Sequence, residues 1–367
     1  MIIYDIGVIF IIILYTFLIS AFLIGWNKIK LYRKSQVGPS DVFISVIVPF
    51  HNEQTNIPLL INSINNQSLN KERFELILIN DHSTDQSVNV TENAISGIPN
   101  FRIFDLQEGE GKKNALIFGI SHANGNLIVS TDADCTHHKE WLETIYSYYI
   151  ENRHGLIIGP VLMKGSNHFE SIQCLDFFSL MASGAGACGI RRPIMCNGAN
   201  LAYEKEILSE IKDPMYLKYI SGDDIFLMHK LKQIHPEKIH FLKSPKALVT
   251  TEAEKNFKVF FKQRKRWVSK SRGYYDKDTL ITAFIVLIMN ASMLISLLIS
   301  LFKAAFFYVF LLQLTTKAII DFIFLCETAV FYKKVNLLWY FITTEIFNIF
   351  IVPIVAITGL ISKQKWK

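Results

Sequence analysis

The sequence predicts an α/β domain, built on a parallel sheet and flanked by membrane-spanning helices, and three observations predict it. Short apolar runs alternate with helical patterns between residues 44 and 131. Two long stretches, one at each side of this region, carry no charge. The composition is 50% hydrophobic and only 19% charged, against roughly 25% charged in an average soluble domain. With 38 Lys plus Arg against 32 Asp plus Glu, the net charge of +6 is modest for 367 residues, which argues against a dedicated nucleic-acid binder. Cys135, Cys174, Cys188, Cys196 and Cys326 are odd in number and show no C-x-x-C or metal-ligand spacing, so they read as reduced thiols.

Ile6 to Asn27 is a charge-free run of 22 residues, long enough to cross a hydrocarbon core as a helix. Met1 to Asp5 has no Lys or Arg, and the basic cluster Lys28, Lys30, Arg33 and Lys34 follows the run. That order describes a retained anchor with its C-terminal side cytoplasmic, not a cleaved signal peptide. Leu280 to Phe302 lies in a second charge-free run, and weaker spans are expected at about Ala304 to Cys326 and about Leu337 to Ile361. Lys317 and Asp321, spaced i, i+4, and Glu345 fall at membrane depth. They read first as a structural ion pair between packed helices, ahead of a role in an acceptor channel. Four spans place Lys333 and Lys334 inside and leave Lys363, Lys365 and Lys367 outside. The expected organisation is an anchor over residues 1–27, an α/β domain over 28–254, an amphipathic interfacial segment over 255–278 and about three helices over 279–367.

Within the domain, strands are expected at Ile44 to Val48, Phe74 to Asn80, Phe101 to Asp105 and Leu127 to Thr131. Helices are expected at Asn56 to Asn65, Asp85 to Ala94 and Lys112 to Ala123. Such alternation implies a parallel, Rossmann-like sheet, whose ligands bind outside the carboxyl ends of the strands. Pro49 and Glu53 follow the first strand, Asp81 the second, and Asp85 reads as a helix cap. There is no Walker A lysine motif and no G-x-G-x-x-G after the first strand, which counts against a P-loop NTPase or a dinucleotide oxidoreductase. Gly111-Lys112 opens the third helix, where a helix N-terminus and a lysine can meet a diphosphate. Asp132 and Asp134 leave the fourth strand, and strand alternation aims both to one face while it lasts. Two such carboxylates suit Mg²⁺ or Mn²⁺ completed by phosphate oxygens. His137 and His138 read as solvated helix-start residues. Asp223 and Asp224 precede an apolar helix; each is a natural helix cap, and the pair also offers a general base.

From Lys255 to Tyr275 there are eight Lys or Arg and no acid. Phe257, Phe260, Phe261 and Trp267 share a helical face there, as in a segment lying on an anionic membrane surface. Taken in order, Val48-Pro49-Phe50-His51-Asn52-Glu53, Asn80-Asp81, Gly111-Lys112-Lys113-Asn114-Ala115-Leu116, Asp132-Ala133-Asp134, Gly222-Asp223-Asp224 and Gln263-Arg264-Lys265-Arg266-Trp267 resemble the family 2 glycosyltransferases. D-x-D and Q-x-x-R-W in this order are the strongest part of the likeness. The closing pentapeptide is similar to that of membrane-embedded synthases of cellulose, chitin, hyaluronan and poly-N-acetylglucosamine, and of ceramide glucosyltransferases.

The resemblance implies a GT-A fold and inverting transfer of a hexose or N-acetylhexosamine from a UDP-sugar. It would place Asp81 at the uracil, Glu53 at the ribose side, Pro49 and Lys112 close to the nucleotide, and Asp134 with Asp132 at a Mg²⁺ or Mn²⁺ ion. Arg266 would neutralise the diphosphate, Gln263 would help close the site and Trp267 would stack under the acceptor sugar. Gly198, in the acceptor-side loop Cys196 to Asn200, would allow close approach. Asp224 would be the general base, with Asp223 able to share or replace it, because Gly-Asp-Asp stands here where synthases often show Glu-Asp. The implied enzyme is an integral membrane protein with a cytoplasmic catalytic domain, in a bacterial plasma or inner membrane, acting on a lipid or lipid-linked glycan. Processive β-polysaccharide synthesis is the alternative within the family; a non-catalytic, nucleotide-binding membrane scaffold is the alternative outside it.

Overall fold

The computed structural model describes residues 2–35, 38, 40–215 and 222–361. Ser221, Lys363, Lys365 and Lys367 lie outside the described residues. After helix α1 (Ile2–Lys28) the chain alternates through β1 (Ile44–Phe50), α2 (Ile57–Asn65), β2 (Phe74–Asn80), α3 (Ser87–Ile95), β3 (Phe101–Asp105), α4 (Lys112–Ser121) and β4 (Leu127–Ser130). Every residue of β1 and β2 is buried, as expected of strands covered on both faces. Their internal polar groups are satisfied: Ser45 Oγ donates to Glu75 at 2.6 Å, and Arg102 pairs with the same carboxylate at 2.6 Å.

The chain continues through β5 (Thr136–His137), α5 (Trp141–Asn152), β6 (Leu156–Ile158), β7 (Val161–Lys164), α6 (His168–Gly189), β8 (Leu201–Glu204), α7 (Asp223–Ile234), β9 (Ile239–Phe241) and β10 (Val249–Glu252). The main sheet has the order β3-β2-β1-β4-β8-β6-β9, and a small one the order β5-β10-β7. β3, β2, β1 and β4 are mutually parallel, but β8 runs antiparallel to both β4 and β6. The sheet is therefore mixed, not wholly parallel as the alternation implied. The alternating pattern ends with β4, and β8 enters from a long excursion.

The chain forms two compact units. Ile29–Met163 and Met195–Glu252 make the α/β unit; α1, Lys164–Ile194 and the described residues from Ala253 onward make a helical unit. The latter adds α8 (Phe257–Ser269), α9 (Lys277–Ser300), α10 (Ala305–Phe331) and α11 (Phe341–Ile361). Four of its segments, Tyr4–Lys28, Lys277–Ser300, Ala305–Phe331 and Val335–Ile361, are long and apolar enough to cross a membrane. Helices α1 and α6 meet backbone to backbone. A Cβ on Gly25 would lie 1.9 Å from the Gly186 carbonyl oxygen, and one on Gly186 would lie 2.4 Å from that of Phe22. Small residues permit such an approach between apolar helices.

Lys317 and Asp321 pair at 2.7 Å, as their spacing predicts, and Glu345 of α11 closes on the same ammonium. Tyr15 of α1 donates to Asp321 at 2.8 Å. The amphipathic segment is α8, begun by the Asn256 side chain accepting from the Val259 N–H at 3.0 Å. Its apolar face is not reserved for lipid. Phe260 is buried against Ile351 and Val355 of α11, with Phe169, Phe261, Val268 and Phe347 around it, while Phe257 stays 52% exposed.

Candidate active site

The polar residues gather at the carboxyl ends of β1, β2 and β4, where a sheet of this kind exposes its strand ends. Asn52, at φ 56°, turns the chain after β1, and His82, at φ 55°, turns it after β2. The two turns are tied: the Asn52 side chain accepts from the Thr84 N–H at 2.8 Å, and the Asn52 N–H donates to Ser83 at 3.0 Å. Asp81, only 4% exposed, receives the Gly111 N–H on both carboxylate oxygens at 3.0 and 2.9 Å. Gly111, at φ 91°, is the N-cap of α4, a position that favours a negative neighbour. Glu53 accepts from the Asn56 side chain at 2.7 Å, and Pro49 is buried near the end of β1. Asp85 behaves as the expected cap, accepting from the Ser87 N–H at 2.9 Å.

Lys112 is the centre of the site. Its ammonium lies 2.5 Å from Asp132 and 3.7 Å from Asp223. Burial alone would lower its pKa, but Asp132, Asp223 and Asp224 outweigh that and hold it well above the ordinary lysine range. Gly198 forms the wall: a Cβ there would sit 3.1 Å from the Lys112 nitrogen and 3.3 Å from an Asp223 oxygen. Its N–H donates to Asp224 at 3.0 Å and its carbonyl accepts from Ser130 at 3.1 Å. Gly222, at φ 92°, sets Asp223 and Asp224 into the first turn of α7. Asp223 is buried at 8% exposure, whereas Asp224 is half-buried and holds its other oxygen against the Ile225 N–H at 2.7 Å.

Asp132 and Asp134 meet different partners. β4 ends at Ser130, before either of them, so strand alternation no longer applies: Asp132 turns to Lys112, while the exposed Asp134 accepts from Thr251 at 3.1 Å. Both offer the hard carboxylate oxygens that Mg²⁺ or Mn²⁺ takes. Among the described residues no group of three or more His, Cys, Asp or Glu is arranged to hold an ion. Beside them, burial together with Asp134 and Asp132 pushes the Cys135 thiol up.

His137 is half-buried, with its ring nitrogens engaged. Its ring accepts or donates to Thr131 at 2.8 Å and Ser63 at 2.9 Å and lies 4.1 Å from the Trp141 ring. Burial pushes its pKa down to about 3. Asn200 closes the loop Cys196 to Asn200, two residues after Gly198. It donates to the Pro160 and Ala247 carbonyls at 2.8 Å each and accepts from Trp141 at 2.9 Å, which fixes the loop that carries Gly198.

Gln263, Arg266 and Trp267 lie on α8 in the helical unit. Gln263 donates to Glu254 at 2.8 Å, and Trp267 packs 6.0 Å from Phe177. The buried residue of the pentapeptide is Arg264, which pairs with Asp176 at 2.6 Å and lies 4.3 Å from the Trp267 ring. In sequence it is one more cation of a basic run, and only the α6 carboxylate distinguishes it.

Residues 45–211 match the model of glycosyl transferase family 2. Among curated proteins, glycosyltransferase AglE of Haloferax volcanii is 25% identical over 183 residues, 50% of this chain and 59% of that protein. The undecaprenyl-phosphate 4-deoxy-4-formamido-L-arabinose transferase of Shewanella sediminis is 34% identical over 95 residues, 25% of this chain and 28% of that one. The chain thus spans 59% and 28% of the lengths of these two relatives. Among solved structures, the mannosyltransferase PcManGT from Pyrobaculum calidifontis, in complex with GDP-Man and Mn²⁺, aligns with a TM-score of 0.58 over 97% of both chains at 15% identity. That likeness concerns the fold. With the sheet order, the family match and the strand-end cluster taken together, residues 45–211 are similar to glycosyl transferase family 2 and lie in a GT-A fold, accompanied among the described residues by four helices long and apolar enough to span a membrane.

Proposed function

We propose that the protein is a membrane-anchored, inverting glycosyltransferase that moves a sugar from a UDP-sugar to a lipid or lipid-linked acceptor, with its α/β domain in the cytoplasm. The observation that carries this reading is the Lys112–Asp132–Asp223 cluster beside Asp224 at the end of β4, inside a family 2 domain. The membrane-competent helices and a relative named for an undecaprenyl-phosphate acceptor support a lipid-borne acceptor. The intact acids argue against a non-catalytic scaffold.

In this reading Asp81, Glu53 and Pro49 border the nucleotide, and Lys112 meets the negative diphosphate. Asp134 and Asp132 would hold Mg²⁺ or Mn²⁺, which supplies Lewis-acid charge against the departing diphosphate. Asp224, more accessible than Asp223 and oriented by two N–H donors, takes the acceptor hydroxyl proton. Gly198 keeps the approach to it open, and Gln263 and Trp267 serve the acceptor sugar. Attack from the side opposite the leaving diphosphate inverts the anomeric centre, and a single base suffices.

The test is nucleoside diphosphate release by the detergent-purified protein with Mg²⁺ or Mn²⁺, bulk membrane lipid and a panel of UDP-sugars. GDP-sugars belong in the panel because the fold neighbour holds GDP-Man. Metal-dependent release that collapses in Asp134→Asn and Asp224→Asn is expected. Silence across the panel with nucleotide still bound would return the protein to the scaffold reading, and a ladder of product sizes would make it a processive synthase.

A further inference from the structure

Lys112 holds a position that a donor-site cation needs. Asp132 is one of two carboxylates available to a cation at the end of β4, and the Lys112 ammonium sits 2.5 Å from its Oδ1. The same ammonium is 3.7 Å from Asp223, and the Gly198 backbone closes the third side at a distance a methyl group would crowd. Only 16% of the Lys112 side chain is exposed, whereas Asp132 retains 36%. Asp132 is thus open to an incoming ion from one side and neutralised from the other. Asp223 offers the lysine a second carboxylate.

We propose that Lys112 is a resident counter-ion that competes with the divalent cation for Asp132, so that the cation binds well only when a nucleoside diphosphate enters with it. The proposal rests on the donor-site reading given above. In the free protein Asp132 is held by Lys112. When the diphosphate arrives, its negative oxygens give the lysine an alternative partner, Asp223 retains the rest of the ammonium, and Asp132 is released. Binding of cation and diphosphate is thereby coupled through one side chain, and the coupling is reciprocal: each ligand raises the affinity of the other by the same factor.

The experiment titrates Mn²⁺ into the full-length, detergent-purified protein by the electron paramagnetic resonance signal of the free ion, with and without UDP or GDP. Wild type is expected to bind Mn²⁺ alone weakly and to tighten with the diphosphate. Lys112→Met is expected to bind Mn²⁺ alone about tenfold more tightly, the size of one unit charge removed at close range in a half-solvated site, and to lose most of the coupling. Lys112→Arg retains the charge and stays near wild type. Lys139→Met removes an exposed charge just after β5 and stays near wild type as well. Three outcomes overturn the proposal: Lys112→Met within about twofold of wild type for Mn²⁺ alone, an equal gain in Lys139→Met, or a wild type whose Mn²⁺ affinity ignores the diphosphate. If Lys112→Met does not fold, Lys112→Gln replaces it in the same comparison. If neither diphosphate binds under any condition, the donor-site reading itself fails, while the Mn²⁺-only comparison still reports on Lys112.

Discussion

Each unit contains a lysine facing two carboxylates, and the two clusters differ in how they are closed. In the helical unit Lys317 meets Asp321 and Glu345, Tyr15 donates to Asp321, and the three charged side chains are between 4% and 11% exposed. In the α/β unit Lys112 meets Asp132 and Asp223, but Asp132 is 36% exposed and a half-buried Asp224 stands beside it. The first arrangement has every partner fixed by a different helix, so it works as a joint among α1, α10 and α11. The second leaves one carboxylate within reach of solvent and a glycine where a side chain would block entry. The same residue types thus serve assembly in one place and exchangeable charge in the other, and enclosure decides which.

The largest expected effect separates the clusters by chemistry. Asp224→Asn should lower turnover by about 10² to 10⁴, the usual contribution of a positioned base, with thermal unfolding unchanged; nucleoside diphosphate release checks it. A stability change instead of a rate change would make Asp224 a cap only. Next comes Lys317→Met, which strands two buried carboxylates and should cost about 3–5 kcal/mol, read from unfolding in detergent. Lys317→Met/Asp321→Asn/Glu345→Gln should recover most of that loss, because nothing charged is then left without a partner.

Acidification provides an intermediate effect in the α/β unit. The His137 pKa is pushed down to about 3 by burial, below the unfolded value of about 6.5. Between these values the unfolded chain binds the extra proton, so stability is full above about pH 6.5 and falls as pH drops toward 3. A loss on the order of 2 kcal/mol between pH 6.5 and pH 4 is expected, and His137→Asn should flatten that slope in a pH series of melting curves. The smallest effect is Lys112→Met, at about 1 kcal/mol of stability, because Asp132 can hydrate once unpaired. A cost equal to that of Lys317→Met would erase the distinction between the open and the closed cluster.

The half of the fold that could be read from the sequence is the half where each element buries its own pattern. β1 to β4 with α2 to α4 fall within two residues of the expected bounds at each end. β8 escapes because four residues carry too little periodicity, and its direction is set by partners distant in sequence. α6 escapes because its latter half, Ala182 to Gly189, is built of small residues whose purpose is contact with α1, not an apolar stripe. For the candidate site, the identities of Lys112, Asp132, Asp223 and Asp224 were legible as strand-end and helix-start acids and a lysine; their meeting was not. The orientation of Asp134, the enclosure of His137 and the burial of Arg264 against Asp176 each depend on a partner that no local pattern names.

The hydrogen bond from Tyr15 to Asp321 joins residues 306 positions apart, and this has a consequence for the order in which the protein is made. At about 5–20 residues per second, the ribosome reaches Asp321 about 15–60 s after Tyr15. Throughout that interval α1 has been synthesised without its α10 partner, while β1 to β4 can already pair behind it. This one bond of α1 is therefore closed long after its donor is made. A nascent chain halted before residue 321 should already hold α1 against α6 and α9 while Tyr15 still lacks its acceptor.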